Sequence, residues 1–227
     1  MDMNAVQLSP VSEAAPIVFV VDDDVSVRES LESLLSFEGW HTESFASAEA
    51  FLSRARTYEP CCLILDVSLP ELNGLDLQKL IAEDRADMPI IFITGHGDVP
   101  MTVQAMKAGA VEFLTKPIDN EALLAAIRNA VERSSAAIGD QTELQSLRDC
   151  YASLTPRERE VMSLVVSGLL NKQVGLQLGI SEITVKAHRG KVMQKMNADS
   201  LADMVKMAVK LGLSPEKNPW HSDRPAA

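Results

Sequence analysis

The sequence predicts a two-part chain. A doubly wound α/β unit built on a five-stranded parallel sheet comes first, and an all-α unit of four helices carrying a helix-turn-helix follows. Three observations predict this. Short β-rich runs alternate with helix-period segments over the first 133 residues, only helical signals fill the end of the chain, and the charge divides between the two regions. In residues 1–133, 22 acidic against 9 basic residues give −13, while in residues 134–227, 10 against 12 give +2, out of a total of −11. The length of 227 residues also exceeds that of a usual single domain.

The predicted strands occupy 17–21, 42–45, 62–65, 90–93 and 111–114. Several are apolar throughout, as strands covered on both faces tend to be. Between them, Val27, Leu31, Leu34 and Leu35 form one apolar stripe at helical spacing, and Leu123, Leu124, Ile127 and Val131 form another. The first unit is placed at 16–133. Residues 134–153 turn small and polar, with Leu144, Leu147, Tyr151 and Leu154 near heptad spacing, and read as a partly helical linker. The second unit is placed at 154–213. Thr155-Pro156-Arg157-Glu158 combines an N-cap, a first-turn proline and a capping-box glutamate. Val161, Leu164 and Val165 then line a helix that stops at Gly168. Asn171 can cap a second helix running through Leu178, a turn at Gly179-Ile180-Ser181 leads into a third over 182–196, and a fourth spans 200–211. The tail over 214–227 is polar, contains proline and is expected to fray.

Composition excludes several classes. Hydrophobic residues make up 46% of the chain, no apolar run approaches the ~20 residues of a membrane span, and residues 1–16 lack a basic start and an apolar signal core. A cytoplasmic protein with no membrane partner is expected. Cys61, Cys62 and Cys150 are odd in number and lack metal spacing, so reduced thiols are expected.

Chemistry concentrates at the strand ends. The stretch FVVDDD (19–24) runs three apolar residues into three carboxylates, which repel one another unless a cation or solvent intervenes. In a parallel α/β sheet, function gathers beyond the carboxyl ends of the strands. There the first strand ends in Asp22, Asp23 and Asp24, the third in Asp66, the fourth in Thr94 and the fifth in Lys116. A carboxylate cluster suits Mg²⁺ (or Mn²⁺), which takes oxygen ligands and keeps water for a phosphate-bearing partner. One carboxylate set between that metal, a lysine and a hydroxyl can act as a nucleophile toward a phosphoryl group.

The blocks VVDDD, LILDVSLPELNG (63–74) and TGHGDVPMTVQAMKAGAVEFLTKP (94–117), with their spacings, resemble a two-component response-regulator receiver of flavodoxin/CheY-like fold. They are most similar to FixJ-type members of the NarL/FixJ group. The resemblance implies that Asp66 is the phosphoacceptor, loaded by a sensor histidine kinase. It further implies that Asp22 and Asp23 hold the metal, with Asp23 the direct ligand and the backbone carbonyl of Ser68 beside Asp66. Thr94 would be the switch hydroxyl and Lys116 the phosphate partner, with a cis Lys116-Pro117 bond. Phe113 stands where the family has its switch aromatic, and from the residues alone it is equally a core residue of the fifth strand. Asp24 and the loop histidine His96 are given no chemistry.

In the third helix of the basic half, Val185, Val192 and Met196 fall on an inward stripe. Lys186, Ala187, Gly190, Lys191 and Gln194 point outward, with His188 and Arg189 on the flanks. Gly175 is small where two helices approach. LTPREREVMSLVVSGLLNKQVGLQLGISEITVKAHRGKVMQKM (154–196) resembles a LuxR-type DNA-binding domain. That resemblance implies double-stranded DNA as partner, with promoter half-sites entered by the third helix. Thr184, Lys186, Ala187 and Lys191 are candidates for base edges, and Lys172, His188, Arg189 and Lys195 for phosphates. Gly190 stands where some relatives have a lysine, so part of their readout is absent here.

The function expected is a phosphorylation-dependent transcriptional regulator, not an enzyme beyond its own phosphoryl transfer and autodephosphorylation, that forms a homodimer when phosphorylated. Its rivals are a Mg²⁺-dependent aspartyl-phosphate hydrolase, which would need a cap segment the sequence lacks, and a phosphorylation-independent interaction module, which would tolerate a degraded pocket.

Overall fold

Five parallel strands, β1 (Ile17–Val21), β2 (His41–Phe45), β3 (Cys61–Asp66), β4 (Ile90–Thr94) and β5 (Glu112–Thr115), pair in the order β2-β1-β3-β4-β5. The computed structural model describes residues 15–213 apart from 83 and 96, so His96 and the tail over 214–227 lie outside the described residues. Strands β1, β3 and β4 are buried along their whole length, as their unbroken runs of Val, Ile, Leu and Phe require. One face packs Phe19, Leu63, Leu65, Phe92 and Leu77, and the other packs Val18, Val20, Ile64, Ile91, Leu123 and Ile127. Edge strand β2, HTESF, is only half-buried.

The connecting helices start at side-chain caps that satisfy otherwise orphaned N–H groups. Asp24 caps α1 (Val25–Phe37), Ser47 caps α2 (Ala48–Leu52), Asn73 caps α3 (Gly74–Ile81) and Asp98 caps α4 (Val99–Lys107). Helix α5 (Asn120–Ala152) runs for 33 residues through the stretch that composition marks as a linker. Ser134, small and polar in sequence, is fully buried there. Its hydroxyl accepts from Cys61 N at 3.0 Å and donates to Asp87 O at 2.6 Å. The chain divides into two units, Met1–Gly139 and Asp140–Ala227, at a point inside this helix.

The second unit holds α6 (Pro156–Val166), α7 (Asn171–Leu178), α8 (Glu182–Met196) and α9 (Leu201–Lys210). Its core gathers Leu154, Val161, Val165, Val174, Val185, Val192, Met196 and Met204. Thr155 and Glu158 form the capping box that opens α6. Gly179 ends α7 at φ +66°, and Asn197 ends α8 at φ +55°. All three cysteines are free. Among the described residues, no helix is long and apolar enough to cross a membrane.

Two contacts hold this unit's helices in place. A Cβ on Gly175 would sit 2.7 Å from the carbonyl oxygen of Ile180, so α7 meets the turn before α8 only because residue 175 has no side chain. The other contact changes the reading of a predicted residue. Lys195, a phosphate candidate from its place on the basic helix, instead has its ammonium 2.7 Å from Glu158 Oε2 and 3.1 Å from Ser153 O. The Glu158 side chain is 4% exposed, and a lysine in reach of a buried carboxylate is drawn inward rather than left to solvent.

Gly175→Ala should lower the stability of the second unit by about 1–3 kcal/mol, since backbone rather than a flexible side chain must move. Thermal and denaturant unfolding of the full chain measure this, and an unchanged transition would deny the close approach. The Lys195 ammonium, the Thr155 backbone N–H and the rest of the capping box hold the Glu158 carboxyl down from an ordinary 4.5 to about 2. Its stabilisation is complete above pH 4.5 and is lost as pH falls toward 2. Glu158→Gln should therefore melt lower at pH 7 and lose less further stability over that window than the parent chain. Parallel pH profiles for the two proteins would contradict the assignment.

Candidate functional site

The strand order reverses at β1 and β3, where a doubly wound sheet opens a crevice at its carboxyl edge. Val21 lies opposite Leu65, so Asp22 and Asp66 leave the sheet side by side. Asp66 pairs with Ile93, one residue before Thr94, and Thr94 pairs with Thr115, one residue before Lys116. The register thus brings the predicted Asp22, Asp66, Thr94 and Lys116 to one edge. Backbone bonds extend the ladder to them, from Asp22 N to Phe45 O at 3.3 Å and from Lys116 N to Thr94 O at 2.8 Å.

Lys116 Nζ lies 2.7 Å from Asp22 Oδ2 and 2.9 Å from Asp66 Oδ2, and the Lys116-Pro117 bond is cis as expected. Asp22 is fully buried and Asp66 is 5% exposed. Burial pushes the Asp22 carboxyl above its usual range, against the pull of Lys116 and of the Asp24 N–H that donates to it at 2.9 Å. For Lys116, burial alone would depress the ammonium, but its hydrogen bonds to Asp22 and Asp66 together raise it. The other oxygen of Asp66, Oδ1, accepts from Ser68 N at 3.1 Å.

Asp22, Asp23 and Asp66 each offer an oxygen, and these atoms lie within 4.8 Å of one another. Asp23 is exposed, so the cluster opens to solvent on one side. An all-oxygen donor set of this size fits a hard divalent cation such as Mg²⁺. Asp24 stands apart from it. Its carboxylate accepts from Ser26 N at 2.8 Å and Ser26 Oγ at 2.6 Å, bonds that hold it below the usual range and spend it on capping α1.

Arg28 was not singled out in the sequence. Its Nη1 donates to Asp22 O at 2.7 Å and Asp23 O at 3.0 Å, pinning the backbone under the two acids. The signal for it was a lone cation one turn after an acidic run. Thr94 is fully buried, and Phe113 is half-buried with its ring centroid 6.1 Å from that of Phe92. A Cβ on Gly97 would fall 3.0 Å from Phe113 Cε1 and 3.2 Å from Thr94 Cγ2, so the loop after β4 packs against both. Phe113 is therefore at once a partner of the core and a neighbour of the threonine.

On α8, Val185, Val192 and Met196 are buried, while Lys186, Ala187, Gly190, Lys191 and Gln194 are exposed, as the spacing predicts. Lys172 on α7 is exposed, and Thr184, His188 and Arg189 are half-buried. Ser181 caps the helix start, its hydroxyl accepting from Thr184 N at 3.1 Å and lying 2.8 Å from the Thr184 hydroxyl, and Arg189 Nη1 reaches Asn171 Oδ1 at 3.4 Å. Lys186 makes an exposed i,i+4 pair with Glu182 at 3.1 Å, a contact of small net worth that leaves the ammonium free to exchange partners.

Residues 18–128 match the response regulator receiver domain, and residues 152–208 match the LuxR family of bacterial regulatory proteins. Nodulation protein W of Bradyrhizobium diazoefficiens is 50% identical over 198 residues, covering 87% of each chain. Transcriptional regulatory protein FixJ of Rhizobium meliloti is 42% identical over 198 residues, 87% of this chain and 97% of that one. The solved structure of response regulator StyR superposes with a TM-score of 0.78 at 46% identity, covering 87% of this chain and all of that one. A receiver joined to a LuxR-type helix-turn-helix, on the fold and with the strand-edge residues described above, places the chain in the NarL/FixJ group of two-component transcriptional response regulators, DNA-binding factors rather than enzymes of the ordinary kind.

Proposed function

We propose that the chain takes a phosphoryl group on Asp66 from a sensor histidine kinase and that the loaded receiver controls promoter binding by α8. The observation that carries the reading is the Asp66 carboxylate itself. It is nearly buried, has one oxygen 2.9 Å from a lysine and stands among acids that no other lysine balances among the described residues.

A carboxylate oxygen of Asp66 attacks the phosphorus of the kinase phosphohistidine. The O–P bond forms as the N–P bond breaks, and the imidazole leaves with the electron pair. Lys116 and the Thr94 hydroxyl take up oxygens of the transferred group. Asp22, Asp23, Asp66 and the Ser68 carbonyl would hold Mg²⁺ or Mn²⁺, whose charge offsets the repulsion between phosphoryl oxygens and carboxylates. Attack by water on the same phosphorus returns Asp66 to its free form, which makes the signal transient. An aspartyl-phosphate hydrolase acting on external substrates is disfavoured by the family to which the chain belongs, and a phosphorylation-independent module by the intact pocket.

The phosphoryl group adds roughly −1.5 to −2 of charge. It draws Thr94 toward it, and the packing shared by Thr94, the following loop and Phe113 carries the shift to the outer surface of α4 and β5. Val99, Val103 and Met106 expose 77%, 43% and 43% of their surface there, an apolar face suited to pairing two phosphorylated receivers. Pairing brings two α8 helices to two half-sites. Thr184, Lys186, Ala187 and Lys191 read bases, and Lys172, His188 and Arg189 hold phosphates. Lys195, held by Glu158, acts in this reading as a brace for α8 rather than as a phosphate contact. The units 16–133 and 154–213 then serve as receiver and DNA-binding domain, with the cytoplasm as the compartment that holds both kinase output and DNA.

Incubation with acetyl phosphate and Mg²⁺ should add one phosphate per chain by intact mass, and Asp66→Asn should add none. Labelling of that variant to the parental level would move the acceptor elsewhere.

A further inference from the structure

Two residues on the outward face of α8 have no role inside the chain. Ile183 is 80% exposed, a β-branched apolar side chain at the second position of a helix, where neither packing nor propensity calls for it. Gly190 sits in the helix interior, where glycine weakens a helix relative to alanine. At Gly175 the fold explains the glycine. At Gly190 it does not, because a Cβ built there meets no atom within 4 Å. Among the described residues, what these two serve lies outside the packing of the second unit.

Their spacing says where. Residues 183, 187 and 190 are separated by four and three positions, so Ile183, Ala187 and Gly190 lie along one line of the helix surface, with the exposed Lys186 and Lys191 beside it. Seven residues rise about 10 Å, close to the length of three stacked base pairs. The line bears no hydrogen-bond donor or acceptor on its side chains. Among the base edges in the major groove, only thymine presents a methyl group, and every other apolar contact there would strip water from a donor or acceptor without replacing it.

Resting on the DNA-binding reading, we infer that Ile183 and Gly190 set sequence preference by shape. Ile183 packs on the C5 methyl of a thymine, and the missing side chain at Gly190 lets the α8 backbone approach the base edges closely enough for that contact to form. Gly190 thereby gives up helix stability for a closer fit to the groove. The ligand class is a half-site with thymine facing the amino-terminal part of α8, the part of a recognition helix that meets base edges.

The test pairs changes in the protein with changes in the DNA. Half-sites are selected from random duplexes with the full chain treated with acetyl phosphate, and each thymine of the selected site is then replaced by deoxyuridine, which removes only the methyl. For the parent protein, one replacement should weaken binding about fourfold, the equivalent of one methyl group left unburied. For Ile183→Ala the same replacement should cost nothing. Gly190→Ala should melt higher than the parent, bind the selected site about tenfold more weakly or worse, and bind random DNA, held by phosphate contacts, with affinity within about twofold of the parent.

The inference is overturned if uracil is neutral at every position, if it costs Ile183→Ala as much as the parent, or if Gly190→Ala binds the selected site as tightly as the parent. An outward face used for a protein partner would give that set of results. If instead the parent protein prefers no duplex over random DNA, the DNA-binding reading itself fails, and the inference falls with it.

Discussion

Lys116 stands between Asp22 and Asp66, and the charge it leaves unbalanced governs the receiver's chemistry. Two like charges about 5 Å apart, near the upper bound for these oxygens, repel by roughly 3 kcal/mol at an effective dielectric near 20. Asp22 is fully buried, and burial does more than the neighbouring carboxylate to raise it, whereas Asp23 is exposed to water. Lys116, with Arg28 on the backbone of Asp22 and Asp23, leaves at least one of the three carboxylates unbalanced. The site is thus short of positive charge, which suits a divalent cation, and under the proposed function a phosphoryl group would make it shorter still. In that reading, metal and phosphoryl group would be complementary loads on one pocket. The raised Asp22 and the raised Lys116 express the same strain from its two sides, burial in the first and paired hydrogen bonds in the second.

That constraint is placed by sheet topology. Parallel strands deliver their carboxyl ends to one edge, and the order β2-β1-β3-β4-β5 sets β1 and β3 next to each other, so residues 44 positions apart in sequence leave the sheet together. The same register puts Thr94 one residue and Lys116 two residues beyond the level of Asp66. Beyond the edge, Thr94, the Gly97 loop and Phe113 share packing, which in the proposed function would carry a charge change at Asp66 toward the α4 and β5 surface. The sheet therefore supplies the pocket and the beginning of its output.

Much of this was legible in the sequence, because the strongest signals are the ones periodicity carries. The buried strands read as apolar runs, the cap Thr155 read from residue type, and the strand-end acids followed from where such runs stop, whereas Asn171, expected to cap α7, is its first helical residue behind Leu170. What escaped depends on partners distant in the chain. Ser134 resembles linker composition, yet its hydroxyl bridges Cys61 N and Asp87 O, and no local pattern marks a serine as buried. Lys195 sits on a basic helix face, yet a carboxylate 37 residues away claims it. Arg28 serves two backbone carbonyls, which leave no trace in side-chain pattern. Strand β2 starts at His41, one residue before its alternation suggests, because pairing with β1 rather than hydrophobicity sets its limit.

In the proposed function, charge added at Asp66 changes how α8 meets DNA. The most direct test is the affinity of the full chain for a selected operator, measured at fixed salt and Mg²⁺ with and without prior phosphorylation by acetyl phosphate. A phosphoryl group shifts an equilibrium only by its differential interaction with the two states, so the ratio of the two affinities reads that coupling. We predict tighter operator binding by the phosphorylated chain, with weaker dependence of affinity on protein concentration because paired receivers bind as a unit. Equal affinity for the two forms, with stoichiometric phosphate confirmed on the protein, would contradict it.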